Sequence, residues 1–242
     1  MEDANSENRV ILIDKPAGMT SFGVVARVRR ALKDEFGHKV KVGHTGTLDP
    51  FATGLLILLS GRFTKKSNEF LKLDKVYETT IKLGYISTTG DVEGEISRYS
   101  VSEPRRKPLS PQGFSRFGSR CRAAQSPQLN SVKSIISTFV GEIEQTPSKF
   151  SAIKINGQRA YKLARKGAEF EVPSRKVTIY NIEILEYEYP ILKLRCHVSS
   201  GTYIRTLAED IGEKLGVGAY CESLRRLKIG DYDVKDAEKL DL

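Results

Sequence analysis

The chain has 242 residues, a formal net charge of +9 and 39% hydrophobic residues, enough for one large domain or two small ones. No run of about 18 apolar residues could cross a membrane, and the polar, acidic start Met1–Asn8 has no apolar leader core. Three scattered cysteines (Cys121, Cys196, Cys221) without C-x-x-C spacing argue against a disulfide framework or a zinc site. The expected location is cytoplasmic.

Val10 to Ile13 reads as a short strand leading into the turn Asp14-Lys15-Pro16-Ala17-Gly18. Thr20 or Ser21 then caps a helix with Phe22, Val25, Val28 and Leu32 at helical spacing. The run Leu55–Leu59 reads as a buried strand. Lys75 to Lys82 alternates as another strand, with Tyr77, Thr79 and Ile81 on one side and Val76, Glu78 and Thr80 on the other. Thr88 to Glu95 is a polar, Gly-rich turn.

Residues 98–130 change character, holding four of the nine prolines, seven basic residues and one acid, Glu103. With few aliphatic side chains this segment cannot offset its ordering entropy, and it is expected as a flexible basic insertion. Most of the excess positive charge therefore belongs to one segment rather than to the folded body. Asn130 or Ser131 is expected to cap a helix carrying Val132, Ile135, Ile136 and Phe139. Gly157 to Lys166 reads as a short basic helix ended by Gly167. Lys176–Glu188 and Ile191–Ser199 read as strands joined at Tyr189-Pro190. Thr202 starts a helix with the stripe Ile204, Leu207, Ala208, Ile211 and Leu215, and Leu224–Ile229 returns as a strand. Hairpins without βαβ regularity predict an α+β fold with a mostly antiparallel central sheet flanked by helices. Cys196 and His197 are adjacent in a strand and point to opposite faces, so one metal cannot readily use both.

The octapeptide Gly43-His44-Thr45-Gly46-Thr47-Leu48-Asp49-Pro50 concentrates the chemistry. Its glycines permit positive φ or close approach of a ligand, and Pro50 keeps Asp49 out of the α region. The carboxylate is thus presented on a loop rather than on a helix face, with the His44 ring five residues upstream. Arg205 lies in the first turn of a helix, where the positive end of the macrodipole disfavours a cation. It is either a solvated surface residue or one with a partner, for which a carboxylate is the natural choice. Tyr77 is a strand position that packing alone could explain. Lys154, Arg159, Tyr161, Lys162, Arg165 and Lys166 make a basic, aromatic-punctuated patch that fits a solvated helix face as well as a nucleic-acid contact.

The segment Gly-His-Thr-Gly-Thr-Leu-Asp-Pro-Phe-Ala-Thr-Gly, residues 43–54, resembles the signature of the TruB-type RNA pseudouridine synthases. Asp-Lys-Pro-x-Gly-x-Thr-Ser from Asp14, Lys-Val-Tyr from Lys75 and Gly-Thr-Tyr-Ile-Arg from Gly201 match further family motifs in the right order. The resemblance covers about 10–97 and 139–232. It implies the pseudouridine synthase fold and the isomerisation of a uridine in the T-loop of tRNA (position 55 in tRNA numbering) without cofactor or metal. It implies Asp49 as nucleophile, Arg205 paired with it, and Tyr77 stacked on a flipped base and a candidate acid/base at C5. It also implies His44 filling the space the base vacates and Leu224 packing on the base. Lys154, Tyr161 and Arg165 would grip phosphates of the T-arm. Lys15, within the first motif, reads as mainly structural. The expected protein is a monomer acting on tRNA, with no membrane contact. It is a single catalytic domain over 1–242 without the PUA domain in which bacterial relatives usually end.

Other readings compete. A glycosidase would need a second carboxylate about 5 to 9.5 Å from the first, and Glu78, Asp91 and Glu93 match no expected motif for it. A non-catalytic tRNA-folding chaperone could use the same cleft. A relative working inside a guide ribonucleoprotein would also carry a PUA domain, and Phe-Ala-Thr-Gly after Pro50 looks bacterial.

Overall fold

The computed structural model describes residues 6–100, 126–151, 153–155, 157–165 and 167–240. Its first part carries β1 (Val10–Lys15), α1 (Ser21–Phe36), β2 (Val42–His44), β3 (Thr53–Ser60), α2 (Ser67–Lys72) and β4 (Lys75–Leu83). A hairpin of β5 (Tyr85–Ser87) and β6 (Ile96–Arg98) follows, then α3 (Leu129–Ser137) and β7 (Gly141–Gln145). A second hairpin, β8 (Lys154–Ile155) with β9 (Gln158–Arg159), runs into α4 (Ala160–Arg165). The remainder holds β10 (Arg175–Glu188), β11 (Ile191–Val198), α5 (Ile204–Lys214), β12 (Ala219–Ile229), β13 (Tyr232–Asp233) and β14 (Glu238–Lys239).

Ten strands form one sheet in the order β14-β1-β3-β12-β4-β11-β10-β7, with β2 paired to β3 and β13 to β12. Only β1/β14 and β3/β12 are parallel among the described pairs. The α+β class and the mostly antiparallel sheet expected from the hairpins are found.

The apolar run of β3 is continuous because both its faces are covered. Leu56 and Leu58 meet Val24, Val25 and Leu32 of α1 on one face. Leu55, Ile57 and Leu59 pack with Phe70 of α2 and Ile229 of β12 on the other. The α1 helix starts where Thr20 accepts a hydrogen bond from the Gly23 N–H and stops at left-handed Gly37. A larger core lies between β4, β10, β11 and β12 and the helices α3 and α5, with Leu207, Ala208 and Ile211 fully buried as their stripe predicts.

Several expected boundaries move. The helix expected from Gly157 begins at Ala160, because Gly157, at φ +81°, turns the β8/β9 hairpin first. Two-residue strands are too short to show a period. Helix α3 starts at Leu129 behind Gln128, which gives no side-chain cap, rather than behind Asn130 or Ser131. Helix α5 starts at Ile204 behind Tyr203, not at Thr202. Within the expected insertion 98–130, residues 101–125 lie outside the described residues, while Arg98 belongs to β6 and Leu129 and Asn130 belong to α3. Gly43 sits in β2 without positive φ and with open space around it, so nothing in the structure requires glycine there. The demanding position is Gly54, at φ +100°, where a Cβ would lie 2.2 Å from the Arg226 carbonyl oxygen.

Candidate active site

The loop after β2 is tied down from three sides. Thr45 donates its N–H to the Ile57 carbonyl at 3.0 Å. The Ser21 hydroxyl donates to the Leu48 carbonyl at 2.9 Å and accepts from the Leu48 N–H at 2.8 Å. Lys15, fully buried, donates to the carbonyls of Pro16, Met19 and Pro50. The structural reading of the Lys15–Ser21 segment thus gains a specific content, since it clamps the loop that bears Asp49. The Ala52 N–H donates to the Asp49 carbonyl at 3.1 Å, making a turn with Pro50 at its second position.

Arg205 is the hub of the site. It is 4% exposed, and its Nε lies 3.0 Å from Asp49 Oδ2, the pair expected from the sequence. Its Nη1 donates to Asp91 Oδ2 and to the Thr89 carbonyl, each at 2.9 Å. Its Nη2 donates to the Phe150 carbonyl at 3.2 Å. One planar guanidinium therefore holds two carboxylates and two carbonyls at once. Asp91 was not singled out as Arg205's partner in the sequence. It is buried, and its Oδ1 accepts from the Thr89 hydroxyl at 2.6 Å and the Glu93 N–H at 3.0 Å. Burial pushes the Asp49 carboxyl above its ordinary range. Arg205 pulls it back, the Asp91 charge pushes it up, and Lys15 draws it down.

The Asp49 side chain, 33% exposed, opens into a cavity of about 250 Å³. Tyr77, Leu224, Tyr203 and Lys75 are among the walls. Tyr77 and Leu224 come from adjacent strands, β4 and β12, and present a largely apolar surface. Tyr203 is fixed by Gln145, which accepts from its N–H at 2.7 Å and donates to its carbonyl at 3.0 Å. Lys75 donates to the carbonyls of Leu71 and Leu73, and burial lowers its pKa to about 8. Arg226, 1% exposed, donates from Nε to the Leu55 carbonyl at 2.7 Å and from Nη2 to the Gly46 carbonyl at 3.1 Å. It braces the motif loop against β3. Lys75 opens the Lys-Val-Tyr motif but was not singled out as a site residue, nor was Arg226, yet each is in phase with a pocket residue two positions away, Tyr77 and Leu224.

The remaining expected residues lie at the margin. His44 accepts from the Gly46 N–H through Nδ1 at 3.4 Å, and burial, then the nearby Arg226 and Arg159 charges, lower its pKa. Lys154 is exposed on β8, Tyr161 lies on α4, and neither is in the cavity wall. The backbone of Arg165 ends α4 and its side chain lies outside the described residues. This basic hairpin and helix is nevertheless tied to the site, because the Tyr161 N–H donates to the carbonyl of Ser151, next to Phe150. Among the described residues no group of three or more His, Cys, Asp or Glu is arranged to hold a metal ion, and no helix is long and apolar enough to cross a membrane.

Residues 29–112 and 112–204 match the TruB family pseudouridylate synthase N-terminal domain, and 205–241 match the tRNA pseudouridylate synthase B C-terminal domain. A relative from Endomicrobium trichonymphae named tRNA pseudouridine synthase B is 40% identical across 96% of this chain and 90% of its own length. Relatives of the same name from Cupriavidus pinatubonensis and Aquifex aeolicus are 43% and 42% identical across 96% of this chain, which spans 66% and 71% of their lengths. Among solved structures, a chain of a Cbf5-Nop10-Gar1 complex superposes with a TM-score of 0.66 at 26% identity, over 98% of this chain and 53% of that one. With two family models spanning most of its length and relatives at 40% identity or better, the chain belongs to the TruB family of pseudouridylate synthases and is an enzyme of that class.

Proposed function

We propose that the protein isomerises a uridine in the T-loop of tRNA, at position 55, to pseudouridine, with Asp49 as nucleophile. The observation that carries this is the ionic hub, Asp49 aimed into the cavity by a buried Arg205 whose other side is anchored on Asp91. The names of the relatives, tRNA pseudouridine synthase B, supply the substrate class.

The reaction is an exchange within one nucleotide. The N1–C1′ bond breaks, C5 of the turned uracil bonds C1′, and the proton lost from C5 is balanced by one gained at N1. A nucleotide inside a stack cannot present its ribose to Asp49, so it must be extruded at a cost of a few kcal/mol. Stacking on an aromatic side chain returns roughly 1–3 kcal/mol, and Tyr77 is the wall residue we assign to that role. Its phenol is then placed to handle the C5 proton. Leu224 closes the apolar side, and His44, whose pKa burial lowers, fills the space the flipped base vacates. Lys154, Tyr161 and Arg165 grip RNA phosphates, which position the substrate rather than specify it. The protein works as a monomer in the cytoplasm, without cofactor or metal.

Unmodified tRNA incubated with the protein should acquire one pseudouridine, mapped by the mass shift after carbodiimide labelling. Asp49→Asn should abolish the product while tRNA affinity stays within a few fold. Normal turnover by that variant would remove Asp49 from the mechanism. A chaperone would lack the product in the wild type as well.

A further inference from the structure

Among the described residues, one cation at the cavity, Arg175, has no hydrogen-bond acceptor. Arg205 is satisfied by two carboxylates and two carbonyls, Lys75 and Arg226 by carbonyls. Arg175, at the start of β10, lines the same cavity, and its Nε and Nη2 are buried with no hydrogen-bond partner among the described residues. These two nitrogens form the edge of the guanidinium that grips an oxyanion with two parallel hydrogen bonds. Leaving such donors buried and unpaired is costly, so a site that keeps them has an acceptor to offer when occupied. Ser151, 3% exposed, lines the cavity too, and its hydroxyl likewise has no partner among the described residues. The guanidinium is held in place by its face, 4.8 Å from the Tyr203 ring centroid, and by Gly201, where a Cβ would lie 3.4 Å from Nη1. Thr202 and Tyr203, at the positive N-terminal end of α5, complete this side of the cavity.

We propose that Arg175 and Ser151 form a phosphate subsite that takes one of the two backbone phosphates flanking the extruded uridine. The assignment rests on the pseudouridine synthase reading above. A nucleotide in the cavity brings three parts: its base meets the apolar wall of Tyr77 and Leu224, and its ribose meets Asp49. The phosphate is left, and among the described cavity residues Arg175 and Ser151 have donors without an acceptor. The subsite fixes the ribose from its phosphate side, while Asp49 is fixed from the protein side by Arg205.

The test uses the wild-type protein with tRNA bearing a neutral methylphosphonate at either flanking phosphate, read by single-turnover pseudouridine formation across RNA and salt concentrations. Neutralising one of the two should raise the half-saturating RNA concentration about tenfold and reduce the log–log salt slope by about one. Arg175→Gln on unmodified tRNA should do the same, and should lose nothing further on the methylphosphonate RNA. Arg175→Lys should keep the salt slope and lose part of the affinity, and Ser151→Ala should cost a few fold. No effect from either neutral phosphate overturns the subsite, as does an effect that multiplies with Arg175→Gln. A lower maximal rate with an unchanged salt slope in Arg175→Gln would also overturn it, assigning Arg175 to holding Tyr203. Absence of product from wild-type protein on normal tRNA would instead refute the functional reading.

Discussion

Asp91→Asn tests the hub without altering its shape. In the wild type Asp91 accepts from three donors: the Thr89 hydroxyl, the Glu93 N–H and Arg205 Nη1. Asparagine has one oxygen and one NH₂ group. If its oxygen faces Arg205, its NH₂ meets the Glu93 N–H. If it is turned over, its NH₂ meets the guanidinium. Either way a buried donor loses its acceptor, at about 1–3 kcal/mol, and in the second orientation a charge-assisted bond goes as well. We expect a loss of about 2–4 kcal/mol, or roughly 5–15 °C in Tm for a chain of this size. The rate should fall further than stability requires, because a 1 Å displacement of Arg205 and Asp49 costs about 100-fold. The same change removes the negative charge that pushes the Asp49 carboxyl up. The acid limb of the rate profile should therefore move to lower pH even as the maximal rate drops. The assay is single-turnover pseudouridine formation from pH 5 to 8 at 20 °C, with folding verified by circular dichroism and Tm by calorimetry. A variant with wild-type Tm and rate would refute the claim that Asp91 anchors Arg205.

Arg205→Lys should reduce the rate about 100-fold or more, since one ammonium cannot replace three nitrogens serving four acceptors; single-turnover rates check it. Glu209 is pushed up to about 7, from an ordinary 4.5, by burial, with Arg205 drawing it down and Asp210 and Asp91 adding repulsion. Between those values the unfolded chain is ionised while the folded one keeps the proton, so this residue's contribution to stability is lost as pH rises from about 4.5 to 7. Glu209→Gln should match wild type near pH 4.5 and exceed it at pH 8 by at most about 3 kcal/mol, read as a pH-dependent gap in Tm. Gly54→Ala should cost at least about 3 kcal/mol and depress soluble yield, because the added carbon meets Arg226 backbone where φ is +100°; denaturant unfolding measures it.

Much of this was legible in the sequence where a period or a pair of termini carried the signal. The run Leu55–Leu59, the alternation of β4 and the stripe of α5 each report one or two buried faces. The proline after Asp49 and the helix start at Arg205 marked each residue singly, but it was the family resemblance of Gly-Thr-Tyr-Ile-Arg that paired them. Asp91 gave no such signal, lying in an irregular Gly-rich turn 114 residues before its partner. Only the structure reveals it, by showing that Arg205 is buried at the positive end of a helix, where one anion leaves donors over. Arg226 fell within the expected strand Leu224–Ile229 without being singled out, although it is in phase with Leu224 and buried. The β8/β9 hairpin stayed hidden because Gly157 and two-residue strands leave no repeat to detect.

The central position of β12 has a temporal consequence. Arg226 braces Leu55 from 171 residues further along the chain, and Leu224 supplies a wall of the cavity that Asp49 faces. At roughly 5–20 residues per second of synthesis, about 10–30 seconds separate the appearance of those partners. For most of that interval the ribosome-borne polypeptide carries Asp49 with neither the Arg205 guanidinium nor the strand that supplies Leu224. The pocket is complete only once β12 is in place.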